Sequence, residues 1–216
     1  MSYQTILFDF DGTLLYTVQD LANAVNHALS VFGYPTHPVR AIERMVGNGV
    51  AVLLARALPG GFDTPDYDAV LAEFRRCYSA HCYDFTVPYD GVQDMLRAFH
   101  GEGRKMAIVT NKYQAAAEEL RKKFFDDTIP LIVGDFEGRE RKPAPDGVFL
   151  ALRELGAEAA TAVYVGDTEV DMRTAANAGL EFVAAGWGYR TREELEAFGI
   201  ERIAGSPTEL VSVISG

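Results

Sequence analysis

The chain has 216 residues, 48% of them hydrophobic, enough for one sizeable domain or for a domain with an insert. A formal net charge of -11 disfavours nucleic acid as a partner, because phosphate backbones are bound by clustered lysine and arginine. The first residues show neither a basic leader nor a long apolar run, so no membrane span is expected and a reducing cytoplasm fits.

Thr5 to Phe8 is a short apolar run, predicted as a strand buried on both faces of a parallel sheet. Asp9 and Asp11 follow at its carboxyl end, then Gly12 ends the strand and Thr13 adds a hydroxyl. Residues two apart on an extended backbone point the same way, so both carboxylates can face one site. D-G is also ordinary turn chemistry, and the rest of the chain has to decide between the two readings. Helical spacing of Val18, Leu21, Val25, Ala28, Leu29 and Phe32 predicts a helix over 17–32, with Thr17 and Asp20 resembling a capping box and Gly33 as the stop. Further helices are expected from Pro38 to Gly47, from Asn48 or Gly49 through Leu58, and after Thr64-Pro65, read as a cap with proline at the first helical position. Cys77 and Cys82 fall near the end of this helical block beside His81. There is no second cysteine pair, so free thiols are expected rather than a zinc site.

From Gly91 the pattern alternates. Helices are expected after Gly91 and over 113–125, 146–155 and 168–178, followed by one capped at Thr191 and one at Ser206. Strands are expected over 105–110, 130–133, 162–165, 182–185 and 203–204. That alternation predicts an α/β fold, a doubly wound parallel sheet with a Rossmann-like core. The core would comprise 1–16 and 88–216, with 17–87 inserted as a helical cap domain.

Parallel strands bring their carboxyl ends to one edge, where open α/β sheets bind ligands. Four polar groups fall there: Asp9, Asp11 and Thr13; Thr110, Asn111 and Lys112; Lys142; and the run Gly166-Asp167-Thr168-Glu169-Val170-Asp171. Oxygen-only ligation by paired acids suits a hard cation such as Mg²⁺. The set suits phosphoryl transfer: one carboxylate to attack phosphorus, one to move protons, a lysine and hydroxyls to hold phosphoryl oxygens, and a further acid for the metal. Each residue alone has a plainer role as a helix cap or a solvated side chain.

Four motifs in this order resemble those of the haloacid dehalogenase superfamily of phosphohydrolases, in the group with a helical cap after the first motif. They are D-x-D-G-T-L at 9–14, Thr110, Lys142 in K-P-x-P, and G-D-x-x-x-D at 166–171. The resemblance implies Asp9 as nucleophile and Mg²⁺ ligand. It implies Asp11 as general acid/base, with its backbone carbonyl on the metal. Asp167 would be the remaining carboxylate on Mg²⁺, with Thr13 and Asp171 in support, and Thr110, Asn111 and Lys142 would bind the phosphoryl group. Because Asp11 is present, phosphoryl chemistry is favoured over dehalogenation. Within the superfamily the chain is most similar to phosphoglycolate phosphatases, through 20–29 and 45–58. Gly47, Asn48 and Gly49 could then offer backbone N–H groups to a small substrate, and Arg56 could pair with its carboxylate. Tyr16 departs from that subfamily, standing where an acidic residue is usual.

The leading expectation is therefore a Mg²⁺-dependent phosphatase acting on a small phosphomonoester such as 2-phosphoglycolate, through an aspartyl-phosphate intermediate. A sugar-phosphate mutase of the β-phosphoglucomutase kind, or a phospho-aspartate signalling domain without turnover, would use the same core. Partners are expected to be the small phosphate ester, with no nucleic acid and no membrane. Monomer and homodimer both stay open.

Overall fold

The computed structural model describes residues 3–216. In chain order it contains β1 (Thr5–Phe8), β2 (Leu15–Tyr16), α1 (Val18–Val31), α2 (Val39–Met45), α3 (Val50–Ala57), α4 (Tyr67–His81) and β3 (Val87–Pro88). Then follow α5 (Val92–Gly101), β4 (Lys105–Tyr113), α6 (Gln114–Phe125), β5 (Leu131–Asp135), α7 (Asp146–Leu155) and β6 (Ala162–Gly166). The chain ends with α8 (Glu169–Ala178), β7 (Glu181–Ala185), α9 (Arg192–Ala197), β8 (Ile203–Ala204) and α10 (Pro207–Ser215). Two compact units result: one runs to Leu15 and resumes from Pro88 to Gly216, and the other is Tyr16–Val87. No helix among the described residues is long and apolar enough to cross a membrane.

The first unit is the expected doubly wound sheet, six strands in the order β5-β4-β1-β6-β7-β8 with parallel pairing throughout. Progression runs outward from β1 through β4 to β5, then returns to the other side of β1 for β6, β7 and β8. The switch point therefore lies beside β1, where α/β sheets place their ligands. β1 is central and buried on both faces, which is why its sequence is apolar without alternation. Ile6 and Phe8 enter one core layer with α5, α6 and α10, and Leu7 enters the other with α7 and α8.

The second unit is the helical block α1–α4, with α1 packed on α4. Two local expectations fail here. Thr17 precedes α1 but makes no side-chain cap, and Asp20 does not close a capping box. Its buried carboxylate instead accepts from the Phe85 and Thr86 N–H groups and the Thr86 hydroxyl, at 2.8 to 3.1 Å. Three donors brought in from 65 residues away outbid one local N–H. Thr64-Pro65 likewise does not open α4. A single 3₁₀ turn at Gly61–Asp63 leads into a further turn closed by Tyr67 N–H on Thr64 O, and the helix starts at Tyr67 behind Asp66. Elsewhere the caps at Thr191 and Ser206 are present as read, each hydroxyl accepting the N–H three residues on.

Candidate active site

β1 stops at Phe8, and the next residues turn sharply. Phe10 is buried in the core against Phe125, while Leu14 and Leu15 N–H groups both return to Phe10 O. Asp9 is left at the strand end, 7% exposed. The Lys142 ammonium donates to Asp9 Oδ1 at 2.7 Å, to Asp171 Oδ1 at 2.7 Å and to the Tyr164 hydroxyl at 3.1 Å. Tyr164 itself donates to Val109 O, so a buried phenol on β6 fixes the height of the lysine.

Asp167 follows β6 and is fully buried. It accepts from the Thr13 hydroxyl at 3.3 Å and from Tyr189 N–H at 2.8 Å. Asp171 is the N3 residue of α8, and its second oxygen accepts from the Thr168 N–H and hydroxyl. Asp9, Asp167 and Asp171 each bring a carboxylate oxygen within 4.8 Å of the other two.

Electrostatics follow from this crowding. Burial, reinforced by Asp171 and opposed by Lys142, pushes Asp9 up from 3.8 to about 7. Burial, with Asp171 and Asp9, pushes Asp167 well above the carboxylate range. Burial alone would discharge Lys142, but Asp171 and Asp9 outweigh it and hold the ammonium charged. Acids packed this closely disfavour their own ionisation. A cation that accepts oxygen ligands removes that cost, and the hard, all-oxygen donor set fits a divalent ion such as Mg²⁺.

The second strand end is tied to the third. Both amide atoms of Asn111 engage the backbone of Lys142, accepting its N–H at 2.8 Å and donating to its carbonyl at 3.0 Å. The Asn111 side chain thus positions the lysine loop. The Thr110 hydroxyl accepts from Lys112 N–H. Asp11 stands apart from the acidic cluster, its carboxylate paired with the Lys112 ammonium at 3.0 and 3.3 Å.

Residues 186–190 had drawn no reading from the sequence, yet they close the site. The Trp187 indole donates to Thr13 O at 2.9 Å. A Cβ on Gly188 would lie 2.3 Å from Asp167 Cβ and 2.5 Å from Gly12 O, and one on Gly12, at φ +88°, would lie 2.3 Å from Asp167 Oδ2. Both glycines let backbone approach the aspartate. Lys112 was placed at this edge without a role, and Tyr164 was not singled out. The available signal was position, since each sits on a strand that reaches this edge.

In the helical unit, Gly47 and Gly49 adopt φ of 122° and 81° on either side of Asn48. Arg56 donates to Met45 O at 2.7 Å and to Asn48 Oδ1 at 2.8 Å, so it braces this loop. Cys77 and Cys82 are free thiols.

The sheet, its switch point and the polar groups at its edge define an α/β core that gathers buried acids and a lysine at one site. The family model for haloacid dehalogenase-like hydrolases matches residues 6–185. A phosphoglycolate phosphatase of Pseudomonas putida is 34% identical over 198 residues, covering 89% of this chain and 72% of its own. One from Aquifex aeolicus is 33% identical over 217 residues, covering 98% and 96%. The crystal structure of a presumed phosphoglycolate phosphatase from Lactobacillus delbrueckii subsp. bulgaricus superposes with a TM-score of 0.96 at 30% identity, covering 100% of both chains. The chain belongs to the haloacid dehalogenase-like hydrolase family. Within that family it is a phosphatase, a phosphoric monoester hydrolase.

Proposed function

We propose that the protein hydrolyses a small phosphomonoester, 2-phosphoglycolate being the leading candidate, in a Mg²⁺-dependent reaction through phosphorylated Asp9. The observation that carries this reading is the Asp9 carboxylate at the end of β1, bonded to Lys142 and within 4.8 Å of the other two buried acids. The names of the relatives support the choice of ester.

Asp9 and Asp167, with the backbone carbonyl of Asp11, would hold the ion, which supplies charge neutralisation at the phosphoryl oxygens. Asp9 attacks phosphorus, and the phosphorus–oxygen bond to the alcohol breaks. Asp11 gives its proton to the departing alkoxide. A water molecule then loses a proton to Asp11 and attacks the same phosphorus, releasing inorganic phosphate and restoring Asp9. Lys142 and Thr110 steady the phosphoryl oxygens through both steps, with Asn111 keeping Lys142 in place. Asp171 keeps Lys142 oriented and begins α8, and its two oxygens are already committed to those tasks.

Initial rates over two-carbon, three-carbon, sugar and nucleotide monophosphates at saturating Mg²⁺ test the proposal. Phosphate release with 2-phosphoglycolate among the best substrates is expected. No release from any ester, with metal binding demonstrated, would refute it. Asp9→Asn should abolish turnover while the circular dichroism spectrum is unchanged, because an amide is not a competent nucleophile. Appreciable turnover by a clean sample would remove Asp9 from the role.

A further inference from the structure

Lys112 has no part in the chemistry above, yet it is 9% exposed and its ammonium contacts both oxygens of Asp11. It is carried by the last residues of β4, one residue beyond Asn111 and two beyond Thr110. Its backbone N–H holds the Thr110 hydroxyl, so the residue is anchored at both ends to groups that face the ester. Asp11 acts on the oxygen of the departing alcohol, an assignment that rests on the proposed function. An ammonium 3.0 Å from Asp11 Oδ1 is then within about 6 Å of that oxygen, two hydrogen-bond lengths away.

In the phosphate ester of a 2-hydroxy acid, the carboxylate is attached to the carbon that bears the ester oxygen. A carboxylate there is the substrate group best suited to meet an ammonium so placed. In a largely buried setting a charge-assisted contact of this kind discriminates strongly between ligands that carry the anion and ligands that do not. Lysine suits the task, since its ammonium is a compact positive charge that carries donors and no acceptor. We infer that Lys112 is a specificity-determining residue that recognises an acidic group next to the scissile oxygen, so that the favoured substrates are phosphate esters of 2-hydroxy acids.

The test compares 2-phosphoglycolate with 2-hydroxyethyl phosphate, which has the same chain length and a neutral hydroxyl in place of the carboxylate. The readout is the ratio of their kcat/KM values in the wild type, Lys112→Met and Lys112→Arg. A wild-type preference for the acid is expected, falling roughly 10- to 100-fold in Lys112→Met, mainly through KM, and largely kept in Lys112→Arg. Lys112→Gln, which keeps a polar chain without the charge, replaces the Met variant if that one does not fold. An unchanged ratio in the charge-free variant overturns the inference, even where both absolute rates fall, since Lys112 would then act only through Asp11. A wild type indifferent to the carboxylate overturns it too, as does one that hydrolyses other esters but neither of these two. Absence of phosphatase activity on every ester is the separate failure of the proposed function.

Discussion

Lys142 is the residue on which the buried charges depend. Its ammonium bridges Asp9 and Asp171, and its side chain is 4% exposed. Removing one member of a buried ionic set leaves the others uncompensated, at a cost of about 3–5 kcal/mol. Lys142→Met should therefore lower the unfolding free energy of the metal-free protein by roughly that amount. Urea denaturation checks it, and a loss below about 1 kcal/mol would mean the acids simply take up protons in the variant. The lysine itself was legible, because K-P-x-P falls in order between Thr110 and G-D-x-x-x-D. Tyr164 was not, since a tyrosine inside A-V-Y-V reads as one more apolar strand residue. Its hydroxyl matters only once β6 is known to lie beside β1. Asn111 was legible as a site residue, but its contacts with the Lys142 backbone depend on where two distant loops meet.

Whole elements were easier to read than their ends. α7 and β8 have the expected bounds because apolar periodicity and the surrounding breakers agree on them. Capping failed at α1 because Thr17-x-x-Asp20 is a local pattern, whereas the carboxylate binds Phe85 and Thr86, just before β3 and 65 residues or more away. That failure leads to a prediction for the helical unit. Asp20→Ala strands two N–H groups and one hydroxyl in a part-buried setting, each unmet group costing about 1–3 kcal/mol before water compensates. The unit should lose about 2–4 kcal/mol. Amide exchange at Phe85 and Thr86 should accelerate by two orders of magnitude or so, following that loss. Exchange at β1 reports on the sheet unit in the same sample. Equal acceleration at both places would show general destabilisation rather than a lost clamp, and no acceleration at Phe85 and Thr86 would show that Asp20 is not what holds them.

The parallel sheet gathers on one edge acids from residues 9, 167 and 171, so folding itself assembles a cluster that resists ionisation. The consequence is a stability that depends on pH and on metal. Asp9 titrates at about 7 in the folded protein against 3.8 for the free side chain. Between those values the folded state keeps a proton that the unfolded state has released. Stability from this group is complete below pH 3.8 and is lost as pH rises to about 7, opposite to the usual salt-bridged aspartate. Asp167 is shifted in the same direction and steepens the trend. Metal-free protein should therefore melt at progressively lower temperature between pH 5 and pH 8, and Asp9→Asn should flatten part of that slope. Mg²⁺ binds the deprotonated acids, so it competes with protons more strongly at pH 5 than at pH 8. A cation at a hundredfold excess over its Kd contributes about 2.7 kcal/mol. The rise in melting temperature on adding a fixed Mg²⁺ concentration should accordingly be larger at pH 8 than at pH 5. Calorimetric scans of the wild type and Asp9→Asn across that range, with EDTA and with Mg²⁺, measure both effects. A metal-free profile that rises with pH, or a Mg²⁺ increment that shrinks toward pH 8, would show that the three acids do not meet in solution as they do in the fold.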